Sequence, residues 1–361
     1  MSYNMKNYFY LLGISLAAFF IILLIFHFGD IPNKHNNGFK RNYILKSYSA
    51  THEMSFPDTL YEIIGSTRSN IYIDLATQGE ILEVDRSLHN KIRRIKIPFF
   101  AKFYDSLQFS SLEIKIDSPS IYLFAENKPA IVKTNFDATL FEIRMLPPGA
   151  FTREVMVSDD CFILRKIEPR LIDQLFVRYN FSTGALKKED NISPIYGDGG
   201  IISDGQLQVD AETKRLYYIY YYKNLLLSFD TSLNVVKKFS SIDTTGSFAI
   251  KTGLVKNGGT TAYANITPAN IINKVNYVQS GLLFNMSSLR ADNETEEFFS
   301  TNSILDIIDL KNGNYLGSMR LPAFKGSKLS RFIISNNQLI ALYTKSIVIY
   351  DLNPDLNRQD Q

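Results

Sequence analysis

Side chains suited to covalent or metal chemistry are scarce in this sequence of 361 residues, and they are unevenly placed. The four histidines, His27, His35, His52 and His89, all fall in the first quarter, and Cys161 is the single cysteine. A Ser–His–Asp relay needs an imidazole within reach of its nucleophile, and nothing beyond residue 89 supplies one. One cysteine excludes an intrachain disulfide and argues against a Cys/His zinc centre. Cys161 stands in the apolar string CFILRKI, where a small buried strand residue is expected. There is no CxxCH haem attachment, EF-hand loop or nonapeptide calcium repeat, and the glycines at 197–200 are not followed by GK[ST]. No cofactor is expected on these grounds. Carboxylates remain, and Asp198, Asp204 and Asp210 in GDGGIISDGQLQVD could offer hard oxygens to Ca²⁺. The competing reading, which we prefer, is that Asp and Gly here make the turns around a strand.

Residues suited to binding are easier to find. The text RLYYIYYYKN at 215–224 places Tyr217, Ile219 and Tyr221 on one side of a strand and Tyr218, Tyr220 and Tyr222 on the other. Most of these rings are expected to pack between sheets, leaving Tyr222, Lys223 and Asn224 at a turn. A turn with Glu168 and Arg170, the loop at Asp198, and an acidic insert at 292–302 with Glu294 and Phe298 would share that face. Rigid scaffolds carry their recognition on such loops. Five Asn-x-Ser/Thr triplets are what an Asn-, Ser- and Thr-rich chain produces by chance.

What must position these loops can be read from composition and repeats. The chain is 45% hydrophobic and 21% charged, enough apolar content for a substantial core. Its 26 Phe and 21 Tyr, with no Trp, favour pleated half-buried surfaces. A net charge of +3 gives no reason to expect a nucleic-acid partner. Residues 8–28, YFYLLGISLAAFFIILLIFHF, match a bilayer's hydrocarbon core in length and lack a cleavage site, so an uncleaved signal anchor is expected. Lys6 precedes this segment, whereas Lys34, Lys40 and Arg41 follow it. Counted strictly, these charges lean toward a cytoplasmic body. The rule is weak for large translocated domains, and we expect a single-pass inner-membrane protein with a periplasmic body.

Three segments align without gaps: 71–85 (IYIDLATQGEILEVD), 121–135 (IYLFAENKPAIVKTN) and 216–230 (LYYIYYYKNLLLSFD). Each reads as strand, turn, strand, polar end. Degenerate copies lie at 161–184, 281–313 and 339–351, roughly 40 to 60 residues apart. Strand-like pieces flank each hairpin, among them SLEIKID before one and IRRIKIPF after another. Four strands per unit and six units predict an all-β, six-bladed β-propeller, with a seventh blade if 251–277 forms one. The last unit lacks its outer strand, and residues 42–49 (NYILKSYS) are expected to supply it and close the ring. The domains expected are therefore an anchor at 1–28, a linker at 29–41, the propeller at 42–355 and a polar tail at 356–361.

The tandem Tyr–Asp hairpins, the anchor and the six-unit count resemble bacterial six-bladed propellers of the TolB-like or NHL-like kind, over nearly everything after residue 42. That resemblance implies an architecture and no single activity, because propellers host binders, lyases, lactonases and scaffolds. The expected function is a membrane-anchored module that binds or scaffolds a protein or peptide. The alternative is a metal-assisted enzyme, lactonase- or lyase-like, that uses axial carboxylates.

Overall fold

Short strands rich in Ile, Val, Tyr and Phe, each ended by Asp, Asn, Gly or Pro, cannot bury both faces alone, so they pair into sheets that stack. The computed structural model describes residues 10, 12–23, 37–44, 48–75, 79–89, 92–97, 112–126, 128–137, 139–189, 191–243, 250–257, 260–267 and 271–352. The chain divides into two units, 1–37 and 38–361. In the first, residues 12–23 are helical. Among the described residues no helix is long and apolar enough to cross a membrane, and the ends of the expected 8–28 anchor lie outside them.

The second unit forms six antiparallel four-stranded sheets. Blade one is β2 (Leu60–Ser66), β3 (Asn70–Leu75), β4 (Glu80–Asp85) and β5 (Ile92–Lys96). Blade two is β6 (Leu112–Asp117), β7 (Ser120–Ala125), β8 (Ala130–Asn135) and β9 (Phe141–Met145). Blade three is β10 (Phe151–Ser158), β11 (Cys161–Glu168), β12 (Asp173–Asn180) and β13 (Leu186–Glu189). Blade four is β14 (Gly205–Val209), β15 (Leu216–Tyr220), β16 (Leu226–Phe229) and β17 (Val235–Phe239). Blade five is β20 (Asn273–Gln279), β21 (Leu282–Ser287), β22 (Asn302–Asp309) and β23 (Tyr315–Pro322). Blade six joins β24 (Arg331–Ser335), β25 (Gln338–Tyr343) and β26 (Ser346–Leu352) to β1 (Tyr48–Ser55). The three gapless repeats are the β3–β4, β7–β8 and β15–β16 hairpins.

The core lies between blades. Tyr218 and Tyr220 pack with Ile163 and Phe176 of blade three, while Tyr217 and Ile219 pack with Val278, Leu283 and Ile308 of blade five. Period-two alternation thus feeds both interfaces from a single strand. Residues 251–277 do not make a seventh blade. β18 (Thr252–Asn257) and β19 (Thr260–Asn265) form a separate two-stranded hairpin, and Asn273 begins the first strand of blade five.

Closure also differs from expectation. The strand that completes blade six is Tyr48–Ser55, from Tyr48 opposite Leu352 to Ser55 opposite Ser346, and residues 42–49 overlap it only at their end. On this outer strand one face meets solvent, so its residues need not alternate strongly, and THEMS carries little strand signal. Buried Phe56 fixes the register just beyond it, its amide bonded to the Lys345 carbonyl. Residues 42–44 instead strap blade five: the Ile44 amide donates to Ser318 O, and the Ser318 amide to Asn42 O. Gly317 permits this approach, since a Cβ there would lie 2.5 Å from Ile44 Cγ1. Beside the strap, fully buried Arg41 holds Glu294 at 2.9 Å and Asp306 at 2.8 Å.

Candidate functional site

The first strand of each blade is innermost: β2 touches β6, β10 touches β14, β14 touches β20, and β24 touches both β20 and β2. Alternation on these strands sends apolar side chains between blades and polar ones toward the axis. In β6, Ile114 and Ile116 are buried while Glu113 and Lys115 line the centre. β10 has a bulge between Phe151 and Arg153, and both Arg153 and its neighbour Glu154 reach the axial lining. β2 and β6 approach so closely that a Cβ on Gly65 would sit 2.4 Å from the Ile116 carbonyl oxygen. The result is an axial cavity of about 530 Å³ lined mainly by polar side chains, with Tyr61, Tyr221, Tyr277 and Phe332 in its wall.

Acidic groups crowd around Glu113 on this wall. Glu113, Glu126 and Glu154 place a carboxylate oxygen each within 4.8 Å of one another. Lys115 pairs with Glu113 and lies 3.9 Å from Glu62. Lys115 and Glu113 sit deep in the ring, yet each keeps 32% of its side-chain surface open to the cavity. Burial and the charge of Glu113 hold the Glu154 carboxyl well above the usual carboxylate range. Burial would raise Glu113 too, but the charge of Lys115 brings it below the ordinary value. Burial, reinforced by Glu113, pushes Glu126 up to about 7. Burial with Glu62 does the same to Asp74, also to about 7. Lys115 stays protonated because Glu113, Glu62 and Glu154 outweigh its burial. Arg153 is bound elsewhere, to Asp204 at 3.1 Å and to the Gly205 carbonyl at 2.7 Å. Carboxyl groups that titrate near neutrality can donate or accept protons at physiological pH. Clustered in this way, they can also hold a cation.

Two buried polar groups on the cavity wall have no hydrogen-bond partner. Both amide atoms of Asn276, a residue 3% exposed, are unpartnered, while its backbone N–H donates to Gln206 Oε1. Neither Glu154 oxygen has a hydrogen-bond partner. Buried polar groups ordinarily find partners.

The loop-face residues named from sequence come together as topology requires. In an up-and-down blade, the turns between second and third strands and the blade-to-blade loops share one face. Glu168 ends β11 and Arg170 lies in the β11–β12 turn, Asp198 in the β13–β14 loop, and Tyr222, Lys223 and Asn224 in the β15–β16 turn. Glu294 and Phe298 lie between β21 and β22, where the acidic insert folds into a short helix, Glu296–Thr301, capped by Thr295. Several of these side chains are occupied internally. Asp198 is buried and accepts from the amides of Gly200 and Ile202, the turn role. Glu294 is held by Arg41, Tyr43 and the Ala291 amide. Asn224 bonds the Asp243 carbonyl and the Ser241 amide. Lys223 donates to the Tyr196 hydroxyl at 2.8 Å, Glu168 pairs with Lys188, and Phe298 packs edge-on against Tyr43. Asp204 pairs with Arg153 beside the cavity, whereas Asp210 accepts from Glu212 and Gly281 on the opposite face. Asp198, Asp204 and Asp210 therefore form no common metal site.

Sequence reading passed over Glu62, Glu113, Glu126, Glu154 and Asn276. A signal existed: polar residues at alternate positions of the first strand of each unit, as in SLEIKID, point toward the axis. Nothing in the linear text said that three strands and a turn would bring the carboxyls together.

No family model matches the chain, and no curated protein matches it. Among solved structures, virginiamycin B lyase from Staphylococcus aureus is similar at 11% identity and TM-score 0.50, over 84% of this chain and 99% of that one. A member of the DUF4221 family from Bacteroides vulgatus is similar at 13% identity and TM-score 0.50, over 85% and 98%. At such identities the likeness shows the fold alone, and that fold is the six-bladed β-propeller.

Proposed function

We propose that this chain is a binding propeller, tethered to a membrane by its N-terminal segment, whose ligand docks on the loop face and inserts a polar group into the axial cavity. The observation that carries this reading is the axial cavity of about 530 Å³, lined by Glu62, Glu113, Lys115, Gln206, Gln208 and Arg331. Polar side chains of both charges and two amides facing one cavity can pair with a polar group that enters it. Tyr222, Lys223, Asn224, Glu168, Arg170 and Phe298 form the surrounding face and suit a protein or peptide. The reading keeps the TolB-like or NHL-like kinship and a periplasmic position at a bacterial inner membrane. A metal-assisted lactonase- or lyase-like enzyme is the second reading, favoured by the Glu113–Glu126–Glu154 group.

The test is a thermal-shift panel of short peptides, amines and sugar acids on the full chain in detergent, run beside Gln208→Leu, a change in the cavity lining. A compound that stabilises the native chain and not the variant supports the reading. Equal shifts in both, or none across the panel, would sink it.

A further inference from the structure

We propose that the β18–β19 hairpin is a membrane-contact element, resting its apolar side chains and lysines on the anionic lipid surface of the bilayer that holds the N-terminal segment. The proposal rests on the tether in the reading above and adds the surface by which the ring meets the membrane. The hairpin stands outside the six blades, in the blade-to-blade loop between β17 and β20, on the loop face. A two-stranded sheet by itself is marginal in water, and this one exposes apolar side chains on both faces. Leu254, paired with Tyr263 on one face, is 62% exposed, while Val255, paired with Ala262, is exposed on the other. Just after β19, Ile266 is 59% exposed, and Ile271 is exposed as well. The hairpin lies against the β13–β14 loop, where a Cβ on Gly199 would be 3.7 Å from Tyr263 Cβ and where Ile195 and Tyr196 are exposed in turn.

Charge and chain connection name the occupant. From Thr244 to Ala291 there is no Asp or Glu, in a chain that has 36 of them, and the charged residues are Lys251, Lys256, Lys274 and Arg290. Lys251 and Lys256 are exposed at the two ends of the Leu254–Val255 pair. Lysine stems lie along apolar surface while their ammonium groups reach the headgroups, so apolar side chains flanked by lysines and free of acids suit an anionic bilayer. Both feet of the loop, Ile242 and Ile272, pack with Phe39, at the start of the ring unit. The segment from Gly29 to Phe39, fully extended, reaches at most about 40 Å. The root of the hairpin is therefore held within that distance of the end of the apolar 8–28 segment. Six-residue strands give the hairpin a length of roughly 20 Å. A hairpin bedded in the headgroups thus leaves room between ring and bilayer for a ligand.

The experiment uses the full chain with its buried cysteine replaced, Cys161→Ser, in vesicles of phosphatidylethanolamine and phosphatidylglycerol, with the fold checked by circular dichroism. An environment-sensitive fluorophore is attached at Leu254→Cys, at Ile266→Cys or, in the β14–β15 turn on the opposite face, at Thr213→Cys. Lipids spin-labelled near the headgroup serve as the quencher. We expect quenching and a blue shift at 254 and 266, and neither at 213. Both signals should be lost in Lys251→Glu/Lys256→Glu and in vesicles of phosphatidylcholine alone, while the chain still floats with the vesicles. Labels at 254 and 266 quenched no more than the label at 213 would overturn the proposal. So would quenching indifferent to lipid charge or to the lysine reversal. A blue shift that needs no lipid and grows with protein concentration would assign the hairpin to a second copy of the chain and overturn it too. The tether is read separately, by flotation after a wash in molar salt. A chain that stays on the vesicles without quenching at 254 and 266 leaves the tether standing and removes the hairpin contact. Quenching in a chain that molar salt strips away does the reverse.

Discussion

Arg41 offers the sharpest test of how the N-terminal strap is held to the ring. Its side chain is fully buried and makes four hydrogen bonds of 2.8–3.0 Å, two to Asp306 and two to Glu294. Burial opposes its charge, yet Asp306 and Glu294 together hold the guanidinium above its ordinary pKa. Arg41→Ala would leave two buried carboxylates facing each other, with only Tyr43, Ser318 and the Ala291 amide to satisfy them. Removing one partner of a buried ion pair typically costs about 3–5 kcal/mol, because a charge is left uncompensated. We expect a loss in that range, read from the urea midpoint at unchanged slope by tyrosine fluorescence and circular dichroism. Adding Glu294→Gln and Asp306→Asn should return at least half of it, since neutral amides remove the stranded charge. A loss below about 1 kcal/mol, or a triple variant no more stable than Arg41→Ala, would refute the argument.

Three further outcomes follow from the same structure. A chain beginning at residue 46 keeps β1, whereas one beginning at residue 57 loses it; the second should melt far lower, and equal melting temperatures would dismiss ring closure by Tyr48–Ser55. Tyr218→Ala removes a fully buried ring packed edge-on against Phe176 and Tyr220. It should cost about 3–5 kcal/mol, whereas Tyr222→Ala at the turn should cost much less, and similar losses would contradict the assigned packing. The Asp74 carboxyl, facing Glu62 and Glu113 and raised from 3.8 to about 7, binds its proton more tightly in the folded state than in the unfolded one. Its contribution therefore favours folding at low pH and is lost as pH rises from about 4 to about 7. Asp74→Asn should raise the melting temperature at pH 8 more than at pH 4, and the reverse order would disprove the sign.

Much of the fold was legible because a propeller writes its period into the chain. Each blade needs the same apolar–Tyr start, turn and apolar run, so 71–85, 121–135 and 216–230 align in register, and six copies follow. The alternating tyrosines of 216–222 were readable for the same reason, since a strand with a blade on either side is buried on both faces. Local text failed where one face of a strand meets solvent. Tyr48–Ser55 has weak patterning, and its pairing with Ser346–Leu352 is decided by Phe56 and the ends of the ring, far apart in sequence. NYILKSYS reads as the better strand, yet its first residues serve as a strap whose anchor, Arg41, finds its carboxylates more than 250 positions away.

The candidate site divides in the same way. Sequence alone determined the scarcity of histidine and cysteine: His52 and His89 are the imidazoles of the expected 42–355 body, and Cys161 is its single thiol. It also determined which turns share a face, because an up-and-down blade leaves no other choice. The tertiary structure alone decided that Asp198 and Glu294 turn inward to hold loops while Glu113, Glu126 and Glu154 meet at the axis. The physical reason is that burial and charge coupling depend on distances between blades, set by packing across the ring. A carboxylate's neighbours in the chain do not report them.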